Sequence, residues 1–264
     1  MYTIKTEGIV IRSYDYGEGH RIVVIFSEDK GKLRAVARGS RKTKSKFGAS
    51  LEPLSENQFM LHRKPNAELY TVTGCNVLNP HARIRGNMSS FAYASLVSEG
   101  VDLLCVDEDP DQVIYRFFSE VLDDIESCEP ASSAWLFFFR LLKCAGYRLD
   151  LFKCCQCGNK ELDEMVFSSP SGGILCADCR SDAKDRISVS EETLKSVRML
   201  SPHYPLAAAA EKQISLIVEK FIKYQFEKEL RSLGFLELFR TTGIARKVKE
   251  RGNTPPELIA LGQE

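Results

Sequence analysis

The sequence predicts an α+β fold: a small N-terminal β-barrel, then an α-helical unit with a four-cysteine segment set into it. Three observations carry this reading. The first eighty residues divide into five short β-patterned runs separated by turn signals. From about Arg83 onward, apolar residues recur instead at three- and four-residue steps. Inside that helical stretch, Cys154-x2-Cys157 and Cys176-x2-Cys179 stand eighteen residues apart.

The strands come first. Residues 9–11 and 21–26 are apolar core runs, and Glu28-Asp29-Lys30-Gly31 is a turn. Residues 32–38 alternate: Lys32, Arg34 and Arg38 fall on one face, Leu33, Ala35 and Ala37 on the other. Residues 57–61 and 69–75 complete the set, the last rich in β-branched and aromatic side chains. Five short strands at this spacing suit a closed barrel. The oligonucleotide-binding (OB) barrel is the commonest such object with a basic face, and an SH3-like barrel satisfies the same pattern.

That basic face is the most lopsided feature of the chain. Eight cations and no acid lie between Lys30 and Glu52, in a protein whose thirty-six basic and thirty-six acidic residues balance. A strand with a basic outer face, leading into a Gly-Ser loop with four more cations, is a track for a polyphosphate backbone. The predicted nucleic-acid contacts are Lys32, Arg34, Arg38, Arg41, Lys42, Lys44 and Lys46. Phe47 is the one aromatic noted beside them, which predicts a face that holds phosphates and leaves bases free.

The helices follow. Phe91, Ala94, Val97, Val101 and Leu104 mark one. Asp109-Pro110 reads as the cap and first residue of a second, with Val113, Ile114, Phe117, Phe118, Val121, Leu122 and Ile125 as its apolar stripe. Trp135, Phe138, Phe139 and Leu142 continue into a third. Beyond the cysteines, Ser190 with Glu191 and Glu192 is a helix start. Ile214, Ile217, Val218, Phe221 and Tyr224 predict a longer helix ending near Ser232. The organisation expected is a barrel over 1–80, a helical domain over 81–150 and 188–240, a zinc segment over 151–187, and a flexible tail over 241–264. Charge is divided along the same lines: net +5 over 1–80, −6 over 81–150 and +1 over 151–264. Surfaces of opposite sign imply different partners.

The two C-x-x-C pairs are the strongest chemical signal. A two-residue gap lets one tight turn offer two thiolates to one ion, and a second turn completes a tetrahedron. The pairs flank a hairpin pattern around Ser-Pro-Ser-Gly, as in a zinc ribbon or finger. Cys154, Cys157, Cys176 and Cys179 are the predicted ligands of Zn²⁺, with Cys155 left out. Four thiolates leave no open position for water, so the ion is structural. A thiol oxidoreductase would use a single C-x-x-C in a βαβ setting that is missing here. Cys75, Cys105, Cys128 and Cys144 read as ordinary residues in or beside apolar stretches.

Composition excludes several classes. At 264 residues with 44% hydrophobic and 27% charged side chains, the chain is an ordinary globular protein of two or three units. The longest apolar stretch, residues 134–139, cannot span a bilayer, and the N-terminus lacks the apolar region of a secretory signal. Clustered cysteines without an export signal predict a cytoplasmic location. There is no Walker-type glycine loop and no nucleophile–base constellation among four histidines, so no enzyme is expected.

Several strings carry a family resemblance. Gly8-Ile9-Val10-Ile11-Arg12, Tyr16-Gly17-Glu18, Arg21-Ile22-Val23 and Gly31-Lys32 are similar to the bacterial recombination mediator RecO family. So are the stretch from Val36-Ala37-Arg38-Gly39 through Lys46-Phe47-Gly48-Ala49 to Leu51-Glu52-Pro53, and Tyr224, Glu229-Leu230-Arg231-Ser232 and Phe235-Leu236. The resemblance implies binding of single- and double-stranded DNA and annealing of complementary strands. It also implies loading of RecA onto strands coated by single-strand-binding protein (SSB), together with RecR and RecF, at the bacterial nucleoid. It further implies docking of the acidic SSB C-terminal tail on the helical part, where Arg116, Arg140, Lys143 and Arg148 are the available cations. Some family members lack the four cysteines, which agrees with a structural role for the zinc. The rival expectation is a zinc-ribbon adaptor in transcription or RNA processing.

Overall fold

The computed structural model describes residues 2–43, 45–161, 163–183 and 185–241. Five strands, β1 (Tyr2–Tyr16), β2 (His20–Ser27), β3 (Gly31–Ala37), β4 (Glu56–Arg63) and β5 (Tyr70–Asn79), close into a barrel of order β1-β2-β3-β5-β4. The β3–β5 pair is parallel and the others antiparallel. This is the OB arrangement.

Strand β1 is far longer than its apolar run because it serves two partners. Residues 2–9 pair with β4 and residues 8–16 with β2, with a bulge between Val10 and Arg12. Gly8 stands where both pairings meet, and a Cβ there would lie 2.5 Å from the Ile25 side chain. Barrel curvature therefore depends on a missing side chain at this crossing.

The barrel interior is filled by Ile4, Val10, Val23, Ile25, Leu33, Ala35, Ala37, Phe59 and Leu61, closed by Phe47 and Leu51. The alternating face predicted for β3 is thus buried as expected. Strand β2 shows no such alternation, because its other face is buried as well. Val24 and Phe26 pack outward on the helices, with Phe26 centred 6.2 Å from Tyr115 and 6.3 Å from Phe118.

The helices are α1 (Ala82–Gly86), α2 (Met88–Leu104), α3 (Gln112–Ser127), α4 (Pro130–Cys144), α5 (Glu191–Arg198), α6 (Ala208–Phe226) and α7 (Arg231–Thr241). The aromatic stripes of α3 and α4 form the core, including the fully buried Phe118, Trp135 and Phe138. Two boundaries differ from expectation. The α3 cap is Asp111, not Asp109: its carboxylate accepts from Val113 N and Ile114 N at 2.9 Å. Both acids satisfy the capping preference, and the path of the preceding loop chooses between them. The long helix expected to reach Ser232 stops at Phe226, where Glu227 turns left-handed with φ 54°. Ser232 lies in α7 instead, where the Glu99 carboxylate accepts from Arg231 N at 3.0 Å and Ser232 N at 2.8 Å. The Ser190 cap is present, accepting from Thr193 N at 3.2 Å.

Between α4 and α5, β6 (Val166–Ser168), β7 (Gly173–Leu175) and β8 (Ile187–Ser188) form a three-stranded sheet. One apolar core runs from the outer face of the barrel through the helices to Phe167 and Ile174 in this sheet. No helix among the described residues is long and apolar enough to cross a membrane. Of the expected tail, Thr241 ends α7 and residues 242–264 lie outside the described residues.

Candidate nucleic-acid interface and four-cysteine site

Barrel topology sorts the basic run into two groups. Lys32 is buried, its side chain 7% exposed. Its ammonium donates to the Asp102 carbonyl at 2.7 Å and lies 3.4 Å from the Asp102 carboxylate and 3.1 Å from Asp107. Arg34, next on the same face, meets Asp107 at 3.1 Å. The segment after α2 lays its acids along this edge of the barrel: Glu108 N donates to Lys32 O at 3.0 Å, and the Glu108 carboxylate accepts from Arg63. Partial burial works to raise the Asp107 pKa, but Lys32 and Arg34 outweigh it and hold the carboxyl below its ordinary range. Lys32 is thus buried against acids and does not lie on the open cationic face expected of it. Strand alternation shows that it points outward; it does not show that the helical unit covers this part of the outer face.

Arg38, Arg41, Lys42 and Lys46 stay exposed, on the loop that leaves β3. Arg41 meets Asp15 at 3.2 Å, while Arg38 and Lys42 have no ion pair among the described residues. Lys46 donates to Thr73 O at 2.5 Å and lies 5.2 Å from the centre of the Phe47 ring. The loop is tied to the β1–β2 hairpin, since Gly39 N donates to His20 Nδ1 at 2.9 Å and Arg41 N to Gly19 O at 3.3 Å. Lys44 lies outside the described residues. Phe47 points into the barrel, only 5% exposed, and offers no platform to a base.

The cysteines converge as their spacing requires. The sulfurs of Cys154, Cys157, Cys176 and Cys179 all lie within 4.8 Å of one another. Each pair sits on a tight turn: Gly158 N donates to Cys154 O at 2.9 Å with Gly158 at φ 77°, and Cys179 N donates to Cys176 O at 3.1 Å. Burial disfavours the Cys154 thiolate, but the amides of Cys157, Cys176 and Gln156 outweigh it and bring its pKa down to about 6. Desolvation and hydrogen bonds shared with the other three sulfurs push Cys179 up to about 12. Negative charge gathered on sulfurs this close calls for a cation among them. Cys155 is turned away, its N–H donating to Ile174 O at 2.8 Å and its sulfur close over Gly173.

With this geometry in view, comparison with known proteins is decisive. Residues 1–81 match the model described as recombination protein O N terminal, and residues 85–234 match recombination protein O C terminal. The chain belongs to the RecO family. A DNA repair protein RecO from Acetivibrio thermocellus is 27% identical over 246 residues, 90% of this chain and 97% of that protein. RecO from Caldanaerobacter subterraneus is 30% identical over 86% of this chain and 90% of its own length. RecO from Cutibacterium acnes is 31% identical over 90% of this chain and all of its own. Family membership gives the chain a role in DNA repair.

Within this RecO barrel, sequence reasoning passed over two sets of residues. Arg63 packs on Tyr70, its guanidinium 5.0 Å from the ring centre, and joins the acid-paired edge. Tyr14 and Tyr16 stand exposed on the hairpin that the basic loop leans against. The signal for the tyrosines was present: Tyr-Asp-Tyr just before a glycine turn alternates as a strand end does.

Proposed function

We propose that this chain is a recombination mediator. It binds single- and double-stranded DNA through its barrel and anneals complementary strands. With RecR, and with RecF where present, it helps load RecA onto SSB-coated strands. The observation that carries this reading is the set of exposed cations, Arg38, Arg41, Lys42 and Lys46, at one end of an OB barrel in a RecO-family chain. Two strands brought together repel through their phosphates. A loop of cations that accompanies one strand lowers that repulsion while leaving base edges free to pair. About four phosphate contacts give a salt slope of roughly −3 for single strands. Nothing in this role makes or breaks a covalent bond, so the protein acts without catalysis, in the cytoplasm at the nucleoid.

The four cysteines hold Zn²⁺ in this reading, since an all-thiolate set on paired turns suits that ion and leaves it no open position. Bound there, the ion would offset two of the four thiolate charges and join the Cys154 turn to the Cys176 turn. For the SSB tail the candidate cations are Arg116, Arg140, Lys143 and Arg148, of which Arg140 borders a hollow. Its guanidinium lies 5.4 Å from the Phe117 ring centre, and the hollow is lined by Phe117, Val121, Leu136 and Phe137 together with the acids Glu120 and Asp124.

The test is annealing of complementary oligonucleotides coated with SSB, with and without RecR. The chain should accelerate annealing, and R38A/R41A/K42A/K46A should abolish the effect for all sequences alike. An unchanged rate, or an equal action on RNA, would favour the zinc-ribbon adaptor instead.

A further inference from the structure

The hairpin tyrosines have no part in the contacts described so far. Tyr14 is 40% and Tyr16 52% exposed, and among the described residues neither side chain enters a hydrogen bond, a ring pair or a core cluster. The strand register shows what surrounds them. Tyr14 lies opposite Ile22, which lies opposite Val36; one step below, Arg12, Val24 and Arg34 form a row. One step above, Tyr16 lies opposite His20, and Arg38 follows Ala37 at the end of β3. The outer face of β1–β3 thus has two tyrosines along one edge, Ile22 and Val36 as an apolar floor, and Arg34 and Arg38 along the other edge.

We propose that Tyr14 and Tyr16 form a base-stacking platform for single-stranded nucleic acid, with Arg34 and Arg38 on the flanking phosphates. The dimensions suit this occupant. Residues two apart on a strand are separated by about 6.8 Å, so each ring can take one base of an extended strand or both can enclose a single base. From β1 to β3 is about 10 Å, a span that a nucleotide bridges from its base to a flanking phosphate. Charge is complementary too. Arg38 has no ion pair among the described residues, and Arg34 keeps half its side chain exposed beside its one acid. The acid between the tyrosines, Asp15, is already met by Arg21 and Arg41.

Stacking requires unpaired bases, so the platform favours single strands over duplex. It uses the π-face of a base and leaves the pairing edge open, so the strand held can still anneal. It adds base stacking to the phosphate track, a part that Phe47 does not play because the barrel interior has taken its ring.

The proposal rests on the reading that this barrel binds DNA, and the test separates the two. The full chain is titrated with an oligothymidylate and with an abasic oligonucleotide of equal length, which carry the same backbone charge. The thymidylate should bind more tightly by about five- to 150-fold per stacked base. Y14A/Y16A should remove that preference while leaving the affinity for the abasic strand and its salt dependence unchanged; Y14F/Y16F should keep it. Equal binding of both strands by the unaltered chain overturns the platform, as does a preference that survives in Y14A/Y16A. A loss of abasic-strand binding in Y14A/Y16A also overturns it, by showing that the tyrosines only support the loop. If neither strand binds, the DNA-binding reading itself fails and the platform with it.

Discussion

Replacing Lys32 with methionine removes a charge and keeps the length of the side chain, so the stem still packs. Deleting one partner of a buried ion pair costs about 3–5 kcal/mol when the other is left uncompensated. Here both acids keep a second cation, Arg12 at 2.8 Å from Asp102 and Arg34 at 3.1 Å from Asp107. Asp107 is also 49% exposed, so water screens part of the loss. What remains is the bond to the Asp102 carbonyl and part of the Asp102 charge, together about 2–3 kcal/mol. Urea denaturation should show this as a lower midpoint at unchanged m-value. The salt slope of single-strand binding should not move, whereas K42M should reduce it by about 0.7 and leave stability within about 0.5 kcal/mol. A K32M chain of normal stability with a reduced salt slope would refute the reasoning and return Lys32 to the DNA surface.

Metal analysis should find one zinc per chain, lost in C154S and C176S with a lowered melting temperature and retained in C155S; a C155S chain without zinc would contradict the ligand set. His81 is fully buried, both ring nitrogens lack a hydrogen-bond partner among the described residues, and it lies 3.8 Å from Glu126 and 3.9 Å from Asp123. Burial, the largest effect, lowers its pKa below 6.5 against the pull of those acids. With the folded value below the unfolded one, stability is complete above pH 6.5 and declines as pH falls towards the folded value, by up to about 1.4 kcal/mol per pH unit. H81N, which tolerates the backbone at φ 43°, should flatten that dependence; identical slopes in both chains between pH 6.5 and 5 would count against it.

Much of the fold could be read along the chain because local chemistry repeats it. The alternation of Leu33, Ala35 and Ala37 is a property of one strand, and it is buried as read. The two C-x-x-C turns are local as well, and their sulfurs meet. Errors arose where a second element had to be known. Asp109 and Asp111 are equally good caps, and the loop's path against Gly31 separates them: a Cβ on Gly31 would fall 2.2 Å from the Asp109 carbonyl oxygen. The apolar periodicity of α6 continues into α7, and the sequence does not mark the turn at Glu227 with a glycine.

The basic run shows the same division. By itself the sequence determined that a cationic strand and loop belong to a small β-barrel, because charge, alternation and turn spacing are written within about twenty residues; the strand order that makes it an OB barrel came from the tertiary structure. Only the tertiary structure decided which cations are free. Asp102 and Asp107 lie some seventy residues further on, and their approach to Lys32 and Arg34 is set by the burial of Phe26 against Tyr115 and Phe118. The same packing leaves Tyr14 and Tyr16 uncovered, because the helical unit reaches only the lower rows of the sheet. Burial depends on where distant elements meet, and no local pattern encodes that.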